Sequence, residues 1–293
     1  MRLGLQLPRF LWSGGSAEIG THLRDIAETA DGLGFASIWL MDHLFQAEGH
    51  LGRADDPMLE GYTTLAFIAA TTKRASLGTL VTAATYRPPG LLVKMATTLD
   101  VLSQGRAWLG LGAGWYAREA AGLGLPFPSL KERFERLEET LQIATQMWKS
   151  DTRPFHGRHY HLSEPINQPQ AVSKPRPSIL VGGAGERKTL LLAAKYADAC
   201  NLRPNGTDYL MHKLDVLKRH CAAIGRDYAS IQKTLLVPVD QPGALVTSAL
   251  LARCQEWARL GIDHVILSDV PAVETLKPVE TLGRELLPAV AAL

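Results

Sequence analysis

Residues 178–202 read SILVGGAGERKTLLLAAKYADACNL. An apolar run of strand length, SILVG, ends in the glycine cluster Gly182, Gly183 and Gly185. The charged triplet ERK then opens a helix-like stretch over 186–196, and a second apolar run, DACNL, follows at once. Strand, glycine turn, helix and strand in this order form the unit of a parallel sheet, because parallel neighbours need a long crossover between them.

Toward the N-terminus the same alternation recurs. Apolar runs at 2–7, 35–43, 75–83 and 105–112 predict strands, and the stretches 17–33, 62–72 and 87–103 between them predict helices. Pro88 and Pro89 fall in the first turn of the third helix, where a missing N–H costs little. The helix over 130–149 has Ser129 and Glu132 at capping-box spacing, followed by an apolar stripe of Phe134, Leu137, Leu141, Ala144 and Trp148. The segment 151–177, rich in Pro, His and Gln, breaks the rhythm and reads as a long insertion before the strand at 178. Toward the C-terminus come a helix over 207–224, a strand over 231–239, and a helix over 244–260 carrying Leu250, Leu251, Cys254, Trp257 and Ala258 on one side. A strand over 263–268 and a closing helix over 274–291 complete the chain. Eight such units predict a closed (β/α)₈ TIM barrel, one domain over residues 1–293, with function at the C-terminal ends of its strands.

Composition agrees with this. The chain has 293 residues, 46% of them apolar and 20% charged, enough to bury a sizeable core. A net charge of +2 without a long charge run gives no reason to expect nucleic acid or an anionic membrane as partner. No apolar run approaches the roughly 18 residues of a membrane helix, and MRLGLQLPRFLW does not read as a signal peptide, so a cytoplasmic protein is expected. Cys200, Cys221 and Cys254 are far apart and odd in number, which fits buried thiols better than disulfides or a CxxC site.

Among candidate sites, GGAGERK is the best anion site: its glycines allow close approach of the main chain, the following helix offers free N–H groups, and Arg187 and Lys188 add charge. A plain glycine turn is the simpler alternative. GLGAGWY, 110–116, fails the dinucleotide fingerprint because Trp115 stands where its last glycine belongs. It is either a tight turn packed by an aromatic or a glycine floor under a flat ring, with Trp115 and Tyr116 shaping the pocket. Asp42-His43 closes the second strand, at the barrel mouth, where a histidine can exchange protons near neutral pH. Glu60 either lines the pocket or favours the N-terminus of the next helix. His156, His159 and His161 lie in the insertion without a matching acidic set, so no metal site is expected. GxSxG and HExxH are absent from the sequence, which gives covalent or metal-assisted hydrolysis little support.

Four collinear blocks, GFASIWLMDH, LGTLVTAATYRPPGLLVKMATTLDVLSQGRAWLGLGAGW, LGLPFPSLKERFERLEETLQI and PSILVGGAGERKTLLLAAKYAD, resemble the bacterial luciferase-like oxidoreductases over about residues 1–270. They are most similar to the deazaflavin branch that uses coenzyme F420. The resemblance implies a TIM barrel with an insertion before strand 5 and a deazaflavin in its mouth. It implies Gly182, Gly183, Ala184 and Gly185 at the cofactor phosphate, and Asp42 and His43 beside the ring. It also implies Leu80, Val81 and Ala83 behind the ring, with a cis peptide at Leu80-Val81, and Gly112, Ala113, Gly114 and Trp115 along it. Deazaflavin sugar-phosphate dehydrogenases carry a glutamate where this chain has Trp115, and that carboxylate is thought to be their proton donor. Its loss argues for a more apolar substrate and leaves the proton to His43, Tyr116 or Glu60.

The expectation is a homodimeric oxidoreductase that exchanges a hydride between C5 of coenzyme F420 and a small ketone, imine or activated alkene. The alternatives are an FMN-dependent two-component monooxygenase of the same superfamily and a catalytically silent flavin-binding protein.

Overall fold

The computed structural model of the protein describes residues 1–49, 51–239, 246–270 and 276–293. Its strands in chain order are β1 (Arg2–Leu7), β2 (Ser37–Leu40), β3 (Ser76–Thr79), β4 (Thr82–Ala83), β5 (Ala107–Gly112), β6 (Phe155–His156), β7 (His161–Leu162), β8 (Ser178–Gly182), β9 (Ala199–Leu202), β10 (Gln232–Pro238) and β11 (His264–Ser268). The helices are α1 (Ile19–Leu33), α2 (Gly61–Thr71), α3 (Pro89–Leu102), α4 (Ala117–Gly122), α5 (Leu130–Trp148), α6 (Thr189–Tyr196), α7 (Thr207–Ala223), α8 (Thr247–Arg259), α9 (Lys277–Thr281) and α10 (Leu287–Ala291). All strands but β6 and β7 belong to one sheet, which closes on itself where β5 meets both β3 and β4. Because β3 and β4 are one interrupted strand, the nine strands of this sheet make the eight staves of the predicted barrel, each parallel to its neighbours.

Period-two alternation along each strand sorts the core into two shells. Leu3, Leu5 and Leu7 of β1, and Val265 and Leu267 of β11, face outward against the helices, where Leu23 and Ile26 of α1 meet them. Trp39, Leu180 and Ile266 face inward and plug the barrel, with Trp39 packed edge-on against Trp108 at 5.8 Å. Each buried Leu or Ile in these shells contributes roughly 1.5–3 kcal/mol. Deeper still, His264 is buried against Ser37 (Nε2 to Oγ, 3.0 Å), and burial drops its imidazole to a pKa of about 3.

Several expectations are adjusted. The strand read as continuous over 75–83 breaks after Thr79, and the Leu80–Val81 peptide in the gap is cis. A Cβ at Gly110 would overlap the Thr79 carbonyl oxygen, so the break presses main chain against main chain and needs glycine there. The Leu80 carbonyl accepts from the inward-facing Gln6 amide (3.2 Å). The short helix α4 was not foreseen, and α6 begins at Thr189 rather than 186. Ser129 caps α5 by accepting from the Glu132 N–H (3.3 Å), but the Glu132 side chain turns forward to Arg136 instead of closing the capping box. The insertion carries the small antiparallel pair β6–β7. In the closing segment, Pro288 lacks an N–H to give, and a wide turn over Leu282–Leu286 separates α9 from α10. Residues 244–245 and 274–275 of the predicted helices lie outside the described residues. Among the described residues no helix is long and apolar enough to cross a membrane, and no cluster of side chains could hold a metal ion.

Candidate active site

The staves open at their C-terminal ends into a cavity of about 830 Å³, a volume that suits a drug-sized ligand. One wall rises from the ends of β2, β4 and β5. Asp42 lies just beyond β2, is almost fully buried, and receives both prongs of Arg87 at 2.5 and 2.9 Å. Burial pushes the Asp42 carboxyl up, against the opposing pull of Arg87 and Thr82. Burial also works against the Arg87 charge, but Asp42 and Glu60 outweigh it and hold the guanidinium above its ordinary value. Glu60 pairs with Arg87 and caps α2 by accepting from the N–H groups of Tyr62 (3.2 Å) and Thr63 (2.7 Å). Burial raises its carboxyl, yet these hydrogen bonds and Arg87 bring it below the usual range.

His43 stands next to this ion network and lines the cavity. Its Nδ1 lies 3.1 Å from Oε2 of Glu119 on α4. The Glu119 side chain is fully buried, and its carboxylate also accepts from the Leu44 N–H, the Phe45 N–H (2.8 Å) and the Tyr86 hydroxyl. Burial alone would raise its pKa; the donors of His43, Tyr86 and Phe45 bring it below the ordinary carboxylate range. On the other side His43 meets Trp115 and Tyr116 edge-on at 5.4 and 5.8 Å, and those two rings stack on each other at 4.9 Å. Trp115 is half exposed and lines the cavity with Met41, Leu51, Leu130 and Phe134, a largely apolar rim.

The adjoining wall comes from β8, which pairs with β5, and from β9. Gly182 and Gly183 line it, Gly183 with φ +116°, and the Gly183 N–H is held by the Asn201 carbonyl at 3.2 Å. Thr189, in the first turn of α6, presents its buried side chain to the cavity, and Arg203 brings an exposed guanidinium to the rim. The Asn201 amide donates to Thr234 (2.8 Å), which holds the side chain in the wall.

The expected residues fall into two groups. Asp42, His43, Leu80, Val81, Ala83, Gly112, Ala113, Gly114, Trp115, Gly182 and Gly183 line the cavity together. Ala184 and Gly185 belong to the same turn but not to the wall, where Thr189 takes their place. Tyr116 is also outside the lining, because its hydroxyl turns away to the Gln46 carbonyl (3.3 Å). Glu60 is held back by α2 and Arg87, which removes both residues from the set that reaches a substrate directly. Lys188 lies over the Phe134 ring at 5.1 Å, and His159 pairs with Glu135 at 2.8 Å. Arg87, Tyr86, Glu119, Thr189, Asn201 and Arg203 were missed. Only Arg87 had a local signal, its place in RPPG at the start of a helix after a barrel strand.

A flat cofactor fits this donor set. The Thr189 hydroxyl and the Arg203 guanidinium line the cavity with the Gly182–Gly183 turn and can serve as anion donors, the glycines allowing close approach of a ligand, while glycines and apolar side chains form the rest of the slot.

The family profile of luciferase-like monooxygenases matches residues 1–240. An F420-dependent glucose-6-phosphate dehydrogenase of Kineococcus radiotolerans is 31% identical over 222 residues, which are 74% of this chain and 63% of that protein. The chain thus spans somewhat under two thirds of that relative's length. An F420-dependent hydroxymycolic acid dehydrogenase of Mycobacterium tuberculosis is 31% identical over 59% of this chain and 46% of its own. A solved F420-dependent secondary alcohol dehydrogenase, in complex with an F420-acetone adduct, superposes with a TM-score of 0.81 at 18% identity, covering 99% of this chain and 98% of that one. That likeness concerns the barrel. By sequence and by fold, the chain belongs to the luciferase-like monooxygenase family.

Proposed function

We propose that this protein is an F420-dependent oxidoreductase acting on a small apolar secondary alcohol or ketone. The observation that carries the reading is a histidine at a strand end, braced by a buried carboxylate, in one cavity with the Gly182–Gly183 turn, Thr189 and Arg203. Kinship with F420-dependent dehydrogenases supports the choice of cofactor. When bound, the deazaflavin supplies or takes the hydride at C5. Gly182, Gly183, Thr189 and Arg203 would hold its phosphate, and Leu80, Val81 and Ala83 would back its ring. His43 moves the proton at Nε2. In the reducing direction the carbonyl carbon gains hydride and the oxygen gains the His43 proton; in the oxidising direction neutral His43 takes the hydroxyl proton. Trp115, Leu130 and Phe134 cover the reacting centre with apolar surface and keep water out.

Titration with F420 and with FMN, followed by tryptophan fluorescence, tests the cofactor: F420 is expected to bind more tightly. Tighter FMN binding would favour the two-component monooxygenase instead. Assay with reduced F420 tests the substrate class, and apolar ketones are expected to turn over while glucose 6-phosphate is not oxidised. A homodimer belongs to the same proposal, and a monomer in sedimentation velocity would remove it.

A further inference from the structure

We propose that Glu119 is the positioning residue of this site, fixing His43 in the tautomer that presents a bare Nε2 to the cavity. Glu119 is fully buried and has donors on both oxygens: the Leu44 and Phe45 N–H groups on Oε1, and the Tyr86 hydroxyl and His43 Nδ1 on Oε2. So many donors favour the ionised form, and a carboxylate can only accept. The 3.1 Å contact with Oε2 is therefore donated by Nδ1–H. A neutral imidazole carries one N–H, which leaves Nε2 without a proton. Among the described residues Nε2 has no hydrogen-bond partner.

The same carboxylate also fixes the backbone immediately after His43, since Leu44 and Phe45 both donate to it. Ring orientation and main-chain position are thus set from one buried point. Once Nε2 accepts a proton, the cation lies beside a buried negative charge that needs no rearrangement to stabilise it. An acid that orients a base in this way follows the logic by which a third group directs a general base toward its substrate. Nothing in the local sequence marks Glu119 for this role, and it touches neither cavity nor ligand; it acts through His43.

This role deepens the proposed function and rests on it only for the kinetic half of its test. In Glu119→Gln the amide oxygen keeps the two backbone N–H groups, so the NH₂ faces His43 and donates to Nδ1. The imidazole proton is then driven to Nε2. The tautomer is read by ¹⁵N NMR of histidine-labelled protein at about pH 8.5, some two units above the ordinary imidazole value, with His43→Ala to assign the signals. The wild-type protein is expected to show Nδ1–H. E119Q is expected to show Nε2–H and to lose on the order of 10²-fold in kcat with F420 (the lower end of the value of one acid–base group), while KM stays within about threefold. A wild-type spectrum of the Nε2–H form overturns the proposal, whether or not the variant folds. So does a flipped tautomer in E119Q with kcat unchanged. If the wild-type enzyme turns over no F420 substrate, the functional reading fails, and the tautomer assignment still stands or falls on the spectrum alone.

Discussion

Two adjoining walls of the cavity are built from different materials. The β2–β5 wall is backed by charged side chains clamped by one another: Asp42 by Arg87, Glu60 by Arg87 and α2, His43 by Glu119. The β8–β9 wall consists of main chain and small side chains, Gly182, Gly183 and Thr189, opened by a left-handed glycine. The first arrangement holds a proton at a defined atom and keeps its partners dry. The second leaves room for a ligand to approach the main chain, beside the Thr189 and Arg203 side chains. Variants on each wall test whether the walls divide the work as their construction implies.

The largest effect is expected from removing the clamp. Arg87→Met keeps an apolar stem of similar length but leaves the Asp42 carboxylate buried without its cationic partner. Stranding one member of a buried pair costs about 3–5 kcal/mol, read as a fall in the free energy of urea unfolding. Asp42→Asn in the same chain should recover most of it, because the uncompensated charge is then gone. A loss within surface-pair range, under about 1 kcal/mol, would mean that water reaches Asp42 and that this wall is not dry.

The next effect separates proton transfer from binding. His43→Ala should lower turnover by about 10²-fold or more, the usual range for a general acid or base. Cofactor affinity should change far less, since the proposed anion donors sit on the other wall. Stopped-flow measurement of deazaflavin oxidation, with binding titrated separately, gives both numbers. An unchanged hydride-transfer rate with weakened binding would reverse the assignment of the two walls.

Deeper in the barrel than both walls lies a further polar contact, His264 against Ser37. Burial lowers His264 to about 3, from an ordinary value of 6.5. Between those values the unfolded chain takes up a proton that the folded chain refuses, so stability falls as pH falls through this window. From pH 6.5 to 5 this one group should account for about 2 kcal/mol. The difference in acid sensitivity between wild type and His264→Asn, measured by urea unfolding at several pH values, isolates it from the carboxylates. Equal pH slopes would mean that His264 is solvated or protonated in the folded protein.

The same contrast explains what could be read in advance. The barrel was legible because strand–turn–helix alternation is local and repeats. The β8 turn was legible because a left-handed main chain demands glycine, and glycine is visible in sequence. His43 was legible as a titratable group at a strand end, but its support was not. Glu119 reaches it across 76 residues, and Arg87 reaches Asp42 across 45, distances at which a charged side chain looks like any solvated one. Tyr116 misled for the opposite reason. Its position in GLGAGWY was conspicuous, yet its hydroxyl bonds Gln46 and only its ring faces His43. Local motifs betray sites made of backbone; sites made of side-chain networks emerge only when the chain is closed.

The smallest effect tests the backbone wall by itself. Gly183 has φ +116°, and a Cβ there would meet the Thr189 methyl at 3.4 Å, so the space is ordinary but the conformation is one that branched side chains avoid. Gly183→Val would therefore strain the turn and place methyl groups where an anion should approach. Loss of one buried polar partner costs about 1–3 kcal/mol, so F420 should bind between roughly 5- and 150-fold more weakly by fluorescence titration. Turnover at saturating cofactor should change less than in the His43 variant, because the proton-handling wall is untouched. If G183V folds, as judged by its unfolding transition, and still binds F420 at wild-type affinity, then the phosphate rests elsewhere. Arg203→Ala is the next variant to measure in that case, since its guanidinium is the remaining cation on the β8–β9 side of the lining.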